Sequence, residues 1–185
     1  MTAVVRLTLV SHAMTDAMAA TRFPADEPLN ETGRRQAEHV AGLDITGFGT
    51  RHLAGPEQRA RQTAQLLGLR ATAEPRLADL DCGHWRGQAL GSVVPADLEL
   101  WLSEPDQAPH GGESIVDLTE RVAGWLASVV EGPSRTVAVT HPAVIRAAVL
   151  LALDIPPKSF WRIDVAPVSL TTLHHRNDCW TLRMQ

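Results

Sequence analysis

What this chain has little of narrows the field before anything it contains. Only two cysteines occur in 185 residues, Cys82 and Cys179. They stand far apart and in no metal-ligand spacing, so a disulfide framework and a zinc ribbon are both excluded, and a reduced pair is expected. No apolar run approaches the roughly 20 residues of a membrane span. The opening stretch Val4-Val5-Arg6-Leu7-Thr8-Leu9-Val10 is too short, and carries a charge, for a secretory leader. A basic excess is missing too: the formal charge is −4 at pH 7. That argues against a nucleic-acid partner while leaving room for a local basic pocket. Repeats, low-complexity tracts and linker-like composition do not occur. These absences predict one cytoplasmic domain over residues 1–185, with no membrane and no nucleic acid among its partners.

What is there is globular. The chain is 44% hydrophobic and 21% charged, enough for a three-layer core. Val4–Val10 reads as a short buried strand that stops at Ser11-His12-Ala13-Met14-Thr15. Thr136–Thr140 ends the same way, at His141-Pro142. A histidine just past the carboxyl end of a strand sits where open α/β sheets gather their chemistry. One such residue reads as an ordinary backbone-satisfied histidine. Two of them predict a pair facing each other from neighbouring parallel strands.

Between these anchors the chain alternates helix and loop. Asp16–Pro28 begins as a helical turn and ends as a proline-punctuated loop. Asn30 is an N-cap for a helix with Ala37, Val40 and Ala41 on its apolar face. Arg51–Ala54 is a weak strand, and Pro56 sits early in the helix that follows. Val94–Leu102 is a short helix, residues 105–112 form a loop near the site, and Ser114 caps a helix buried through Ile115, Leu118, Val122, Trp125, Leu126 and Val129. Pro142 starts another helix. Val168–His174 and Trp180–Arg183 read as a hairpin around Arg176-Asn177-Asp178. The His174-His175 pair alternates across a strand and is structural, not a metal site. His110 reads as a loop residue at the mouth of the site.

At these residues the chain resembles the histidine phosphatases, a phosphoglycerate-mutase-like family. Leu29, Gly33, Gln36 and Ala37 match its Leu-Thr-x-x-Gly-x-x-Gln-Ala segment. Gly55-Pro56-Glu57-Gln58-Arg59-Ala60-Arg61-Gln62-Thr63-Ala64 matches Ser-Pro-x-x-Arg-Ala-x-Gln-Thr-Ala, with glycine for the leading serine. Asp79 stands, four residues before Gly83, at the family's acid, with Asp81 as the fallback. Pro109–Ser114 matches Pro-x-Gly-Gly-Glu-Ser, and His141, Ile145 and Arg146 match the last motif, with Pro142 for its glycine. The first motif, Arg-His-Gly-x-Thr, survives as Ser11-His12-Ala13-Met14-Thr15. The resemblance implies an α/β three-layer sandwich with a mostly parallel central sheet and a metal-free, cofactor-free phosphatase site. His12 would be the nucleophile, Asp79 the acid and base, and His141 a hydrogen-bond donor to developing charge. Arg59 would clamp the phosphoryl oxygens of a small phosphorylated substrate or inorganic phosphate, with Ser11 and Thr15 beside it.

Ser11 is the departure with chemical weight. Removing one preorganised donor costs about 10²–10³ in rate, set against accelerations that reach ~10²¹ for phosphate monoesters. A phosphatase survives that loss, and so does a non-catalytic phosphoanion binder. A phosphoglycerate-mutase-type phosphotransferase ranks behind both, because such relatives carry insertions this chain lacks. Arg86 replaces an acidic residue of the family, and charge balance nominates it to stand in for the arginine missing at position 11.

Overall fold

The computed structural model describes residues 4–41 and 49–184. A six-stranded sheet runs through the middle: β1 (Val5–Ser11), β2 (Arg51–Ala54), β3 (Thr72–Ala73), β4 (Arg135–Thr140), β5 (Leu170–Arg176) and β6 (Cys179–Arg183). Their order across the sheet is β3-β2-β4-β1-β5-β6. The first four lie parallel, while β5 runs antiparallel to both β1 and β6. The helices are α1 (Asp16–Ala19), α2 (Glu31–Val40), α3 (Gln58–Leu66), α4 (Pro95–Ser103), α5 (Ile115–Val130) and α6 (Pro142–Ala152).

The central strands are buried on both faces, as parallel strands between helical layers must be. Leu7 and Leu9 of β1 join a core with Leu118, Val122 and Trp125 of α5 and Ile145 and Ala148 of α6. Val10, with Val137 and Val139 of β4, turns instead to Ala60 and Ala64 of α3. One residue of offset along a strand moves a side chain from one layer to the other. The result is the three-layer α/β sandwich that the sequence predicted.

The caps explain where the helices start. Asn30 Oδ1 accepts from Gly33 N at 2.9 Å, and Ser114 forms a reciprocal capping box with Asp117. All six apolar positions of α5 are buried as expected. In α2 only Ala37 of the three expected positions is buried, with Val40 half-buried and Ala41 exposed at the cap. The helix begins later than expected at α3: Pro56 lies before it and Glu57, extended at φ −72° and ψ 149°, is an N-cap with no side-chain cap bond. The β5–β6 turn is tighter than the sequence suggested. Strand β5 extends through Arg176, and Asn177 and Asp178 alone make the turn at φ +53° and +58°, the left-handed pair a two-residue hairpin requires.

Gly33 fixes how close α2 comes to the loop after β1. A Cβ there would lie 2.1 Å from the Met14 carbonyl oxygen, so no other residue fits without moving that loop.

Candidate active site

Register builds the site. Ser11 of β1 pairs with Thr140 of β4, so His12 and His141 leave the sheet at one level. The His12 amide donates to Thr140 O at 2.9 Å, and the two ring centroids lie 5.1 Å apart, edge to face. The expected pairing of strand-end histidines is present.

His12 is 3% exposed. Its Nδ1 lies 2.8 Å from Ala13 O and must therefore be the protonated nitrogen, which leaves Nε2 with a lone pair. Burial, with His141 and Arg59 adding to it, lowers its pKa to about 3. The ring is neutral at neutral pH. The loop holding it is pinned by α3: Thr63 Oγ1 accepts from Ala13 N at 3.0 Å and donates to Arg59 O at 2.7 Å.

Arg59 is 2% exposed. Its Nη2 donates to Asp79 Oδ2 at 2.7 Å, and its Nη1 lies 3.9 Å from Glu27 Oε1. Burial would push the Asp79 carboxyl up, but His141, Arg59 and His12 together outweigh it and hold the pKa at about 2. Asp79 is thus ionised in the free site.

Two carboxylates belong to this site that the motifs did not single out. Glu57 Oε2 sits 2.7 Å from His141 Nε2, while Oε1 accepts from Asp79 N at 3.0 Å. Burial opposes its charge, yet the His141 and Asp79 contacts keep its pKa below the usual range. The sequence signal was there in Gly55: a Cβ at that position would stand 3.0 Å from His141 Nε2 and 3.2 Å from Glu57 Oε2. The same Cβ would stand closest of all to the Leu77 carbonyl oxygen, at 2.8 Å, so the chain passes tightly here. Glu27, the other, is held below its ordinary pKa against burial by backbone amides, Arg59 and Thr15.

The remaining candidates divide. Thr15 Oγ1 caps α1 by accepting from Met18 N at 3.2 Å. Ser11 is fully buried, with Oγ 3.5 Å from His12 O. Neither lines the cavity of about 190 Å³ that opens over His12, Arg59 and Asp79. Arg86 is not drawn into it: Nη2 lies 3.2 Å from Asp81 Oδ1, and both side chains are more than half exposed. Its charge is matched locally by Asp81, and it lines a neighbouring polar cleft that shares Arg59 and Asp79 with the cavity. The cavity instead contains Arg146, one turn along α6 from Pro142. Its Nε donates to Ile163 O at 2.7 Å. His110 is away from the cavity as well, packed edge-on to Trp85 at 5.0 Å and Trp101 at 6.0 Å. Cys82 also lines the cavity, but burial, then Asp79 and Asp81, push its thiol up to about 12, so it is no nucleophile. Among the described residues no group of three or more His, Cys, Asp or Glu side chains is placed to hold a metal ion, and no helix is long and apolar enough to cross a membrane.

Known proteins resemble this chain in sequence and fold. Phosphoserine phosphatase 1 of Hydrogenobacter thermophilus is 28% identical, over 92% of this chain and 86% of its own. The Yersinia enterocolitica protein named Probable phosphoglycerate mutase GpmB is 28% identical, over 93% and 86%. Among solved structures, the mycobacterial glucosyl-3-phosphoglycerate phosphatase complexed with VO3 superposes with a TM-score of 0.85 at 27% identity, covering 97% of each chain. The family model for the histidine phosphatase superfamily (branch 1) matches residues 7–185. With two strand-end histidines over a buried arginine and a family match across nearly its whole length, the chain belongs to the histidine phosphatase superfamily.

Proposed function

We propose that this phosphatase of the histidine superfamily hydrolyses a small phosphomonoester through a phosphohistidine at His12. The observation that carries the reading is the His12 imidazole itself: neutral, anchored through Nδ1, and facing a cavity floored by Arg59. The Nε2 lone pair attacks phosphorus while Arg59 holds equatorial oxygens, and the bond to the ester oxygen breaks with its electron pair going to the leaving group. Asp79 donates a proton to that oxygen. Its carboxyl is ionised in the free site, so the proton arrives with the substrate monoanion, whose second pKa is about 6. Asp79 then takes a proton from water as the water oxygen attacks phosphorus, and hands it to the departing phosphate, so that its carboxylate is ionised again. The phosphorus–nitrogen bond breaks, and Nε2 recovers its lone pair. Alcohol and inorganic phosphate leave, and the protons balance. No metal or cofactor takes part in this route, and a cytoplasmic metabolite is the expected substrate.

Rapid acid-free quenching after mixing with a ³²P-labelled ester should trap label on His12, and His12→Ala should take up none. Phosphate release without a labelled histidine would refute the intermediate.

A second reading, a non-catalytic phosphoanion binder, draws on Ser11 and on the commitment of Arg59 Nη2 to Asp79. It predicts thermal stabilisation by inorganic phosphate with no release of phosphate from any ester.

A further inference from the structure

The chain is poor in aromatic residues, with five Trp and three Phe and no Tyr, yet three of them meet at one wall of the His12 cavity. Phe23, Trp101 and Trp161 line it together, with Arg22 and Arg146 also in the lining. Their centroids are in contact, Phe23 to Trp101 at 5.7 Å and Trp101 to Trp161 at 4.4 Å. Phe23 and Trp101 are buried, and Trp161 is steadied by the Arg146 guanidinium 5.5 Å from its ring. The wall is therefore rigid before any ligand arrives. The same three residues also line an adjoining cavity of about 310 Å³ with Leu90, Leu98 and Leu102, and with Thr21, Arg22 and Pro24. A dry apolar cavity of about 150 Å³ already admits a benzene ring.

Resting on the phosphatase reading of this site, we propose that the leaving group is aromatic. The substrate is the phosphomonoester of an alcohol bearing a planar ring, which seats against Phe23, Trp101 and Trp161 while the phosphoryl group lies between His12 and Arg59. Ring systems larger than benzene extend toward Leu98 and Leu102. A compact polar leaving group such as serine or glycerate leaves this apolar wall facing water and gains nothing from it. An aromatic one buries its faces against rings already set at tilted and edge-on angles, the geometry aromatic pairs prefer.

The test separates recognition from intrinsic reactivity by using esters of ordinary alcohols: benzyl phosphate, 2-naphthylmethyl phosphate, phosphoserine and glycerol 3-phosphate. Benzyl phosphate should exceed glycerol 3-phosphate in kcat/KM by roughly tenfold or more. Trp161→Ala should collapse that ratio toward one. Leu102→Asp alters a side chain already 47% exposed, so folding tolerates it. It should lower the preference for the naphthyl over the benzyl ester. Turnover that favours phosphoserine or glycerol 3-phosphate, or a benzyl preference untouched by Trp161→Ala, overturns the aromatic pocket and leaves the phosphatase standing. Absence of turnover with all four esters, together with no phosphoryl uptake by His12, overturns the catalytic reading and this inference with it.

Discussion

Replacing Asp79 by Asn should lower two observables, stability and turnover, and raise a third, phosphate affinity. The side chain keeps its shape, and the amide oxygen still accepts from Arg59 Nη2, but the charge facing a guanidinium 2% exposed is gone. Breaking a buried pair outright costs about 3–5 kcal/mol. With one neutral hydrogen bond retained, and Glu27 still 3.9 Å away, the loss should be about 1–3 kcal/mol. Phosphate binding should change the other way, because a carboxylate no longer competes for Arg59. Two unit charges about 4 Å apart repel by ~1 kcal/mol in water and ~4 kcal/mol at the effective dielectric of a protein surface. Relief of about 1.4–2.7 kcal/mol corresponds to inorganic phosphate bound roughly 10–100-fold tighter. Turnover of an ester with a poor leaving group should fall, since the proton donor is lost, by roughly 10²–10⁴-fold. Urea unfolding, phosphate titration calorimetry and release from benzyl phosphate read the three effects. Weaker phosphate binding with unchanged turnover would refute both the charge competition and the acid role. The same change at Asp81, more than half exposed and paired with Arg86, should do none of this.

The remaining expectations concern groups around that pair. Glu57→Gln should cost about 1–2 kcal/mol in urea unfolding, since one amide oxygen cannot serve both His141 Nε2 and Asp79 N. His12 makes stability depend on pH. Its folded pKa is about 3 against 6.5 unperturbed, so below pH 6.5 the unfolded chain binds a proton that the folded one refuses. Stability should therefore fall as pH drops from 6.5 toward 3, by up to ~1.4 kcal/mol per unit. His12→Asn should flatten that slope in denaturant midpoints measured across the window. Gly33→Ala would place a Cβ 2.1 Å from Met14 O. It should cost at least about 1–3 kcal/mol in thermal or urea unfolding and slow turnover by shifting the loop that orients His12.

The fold was legible because its signals are local. Two apolar strands each ending in histidine, Asn30 and Ser114 at their caps, and six apolar positions at helical spacing in α5 need no distant partner to be read. The floor of the site was legible in part: His12, Arg59, Asp79 and His141 do converge. What stayed hidden depends on contacts through space. Glu57 reaches His141 across 84 positions of chain, beside a glycine whose Cβ would crowd both partners. The sequence offered Arg86 to balance Ser11, but a charge is drawn to its nearest partner, and Asp81 lies closer than the cavity. Trp101 and Trp161 are far apart in sequence and meet only once α4 and the segment after α6 pack together.

Thr63 ties the active site to a single ruler. Its hydroxyl grips the amide behind His12 and the carbonyl of Arg59 at once, and Arg59 and Thr63 are one helical turn apart on α3. The loop that carries His12 is therefore tethered to the same turn of α3 that carries Arg59, a turn that rises about 6 Å over four residues. The sheet holds the other side of that loop, through the His12 amide on Thr140 O. One fully buried hydroxyl thus joins the loop of one histidine to the helix of the buried arginine.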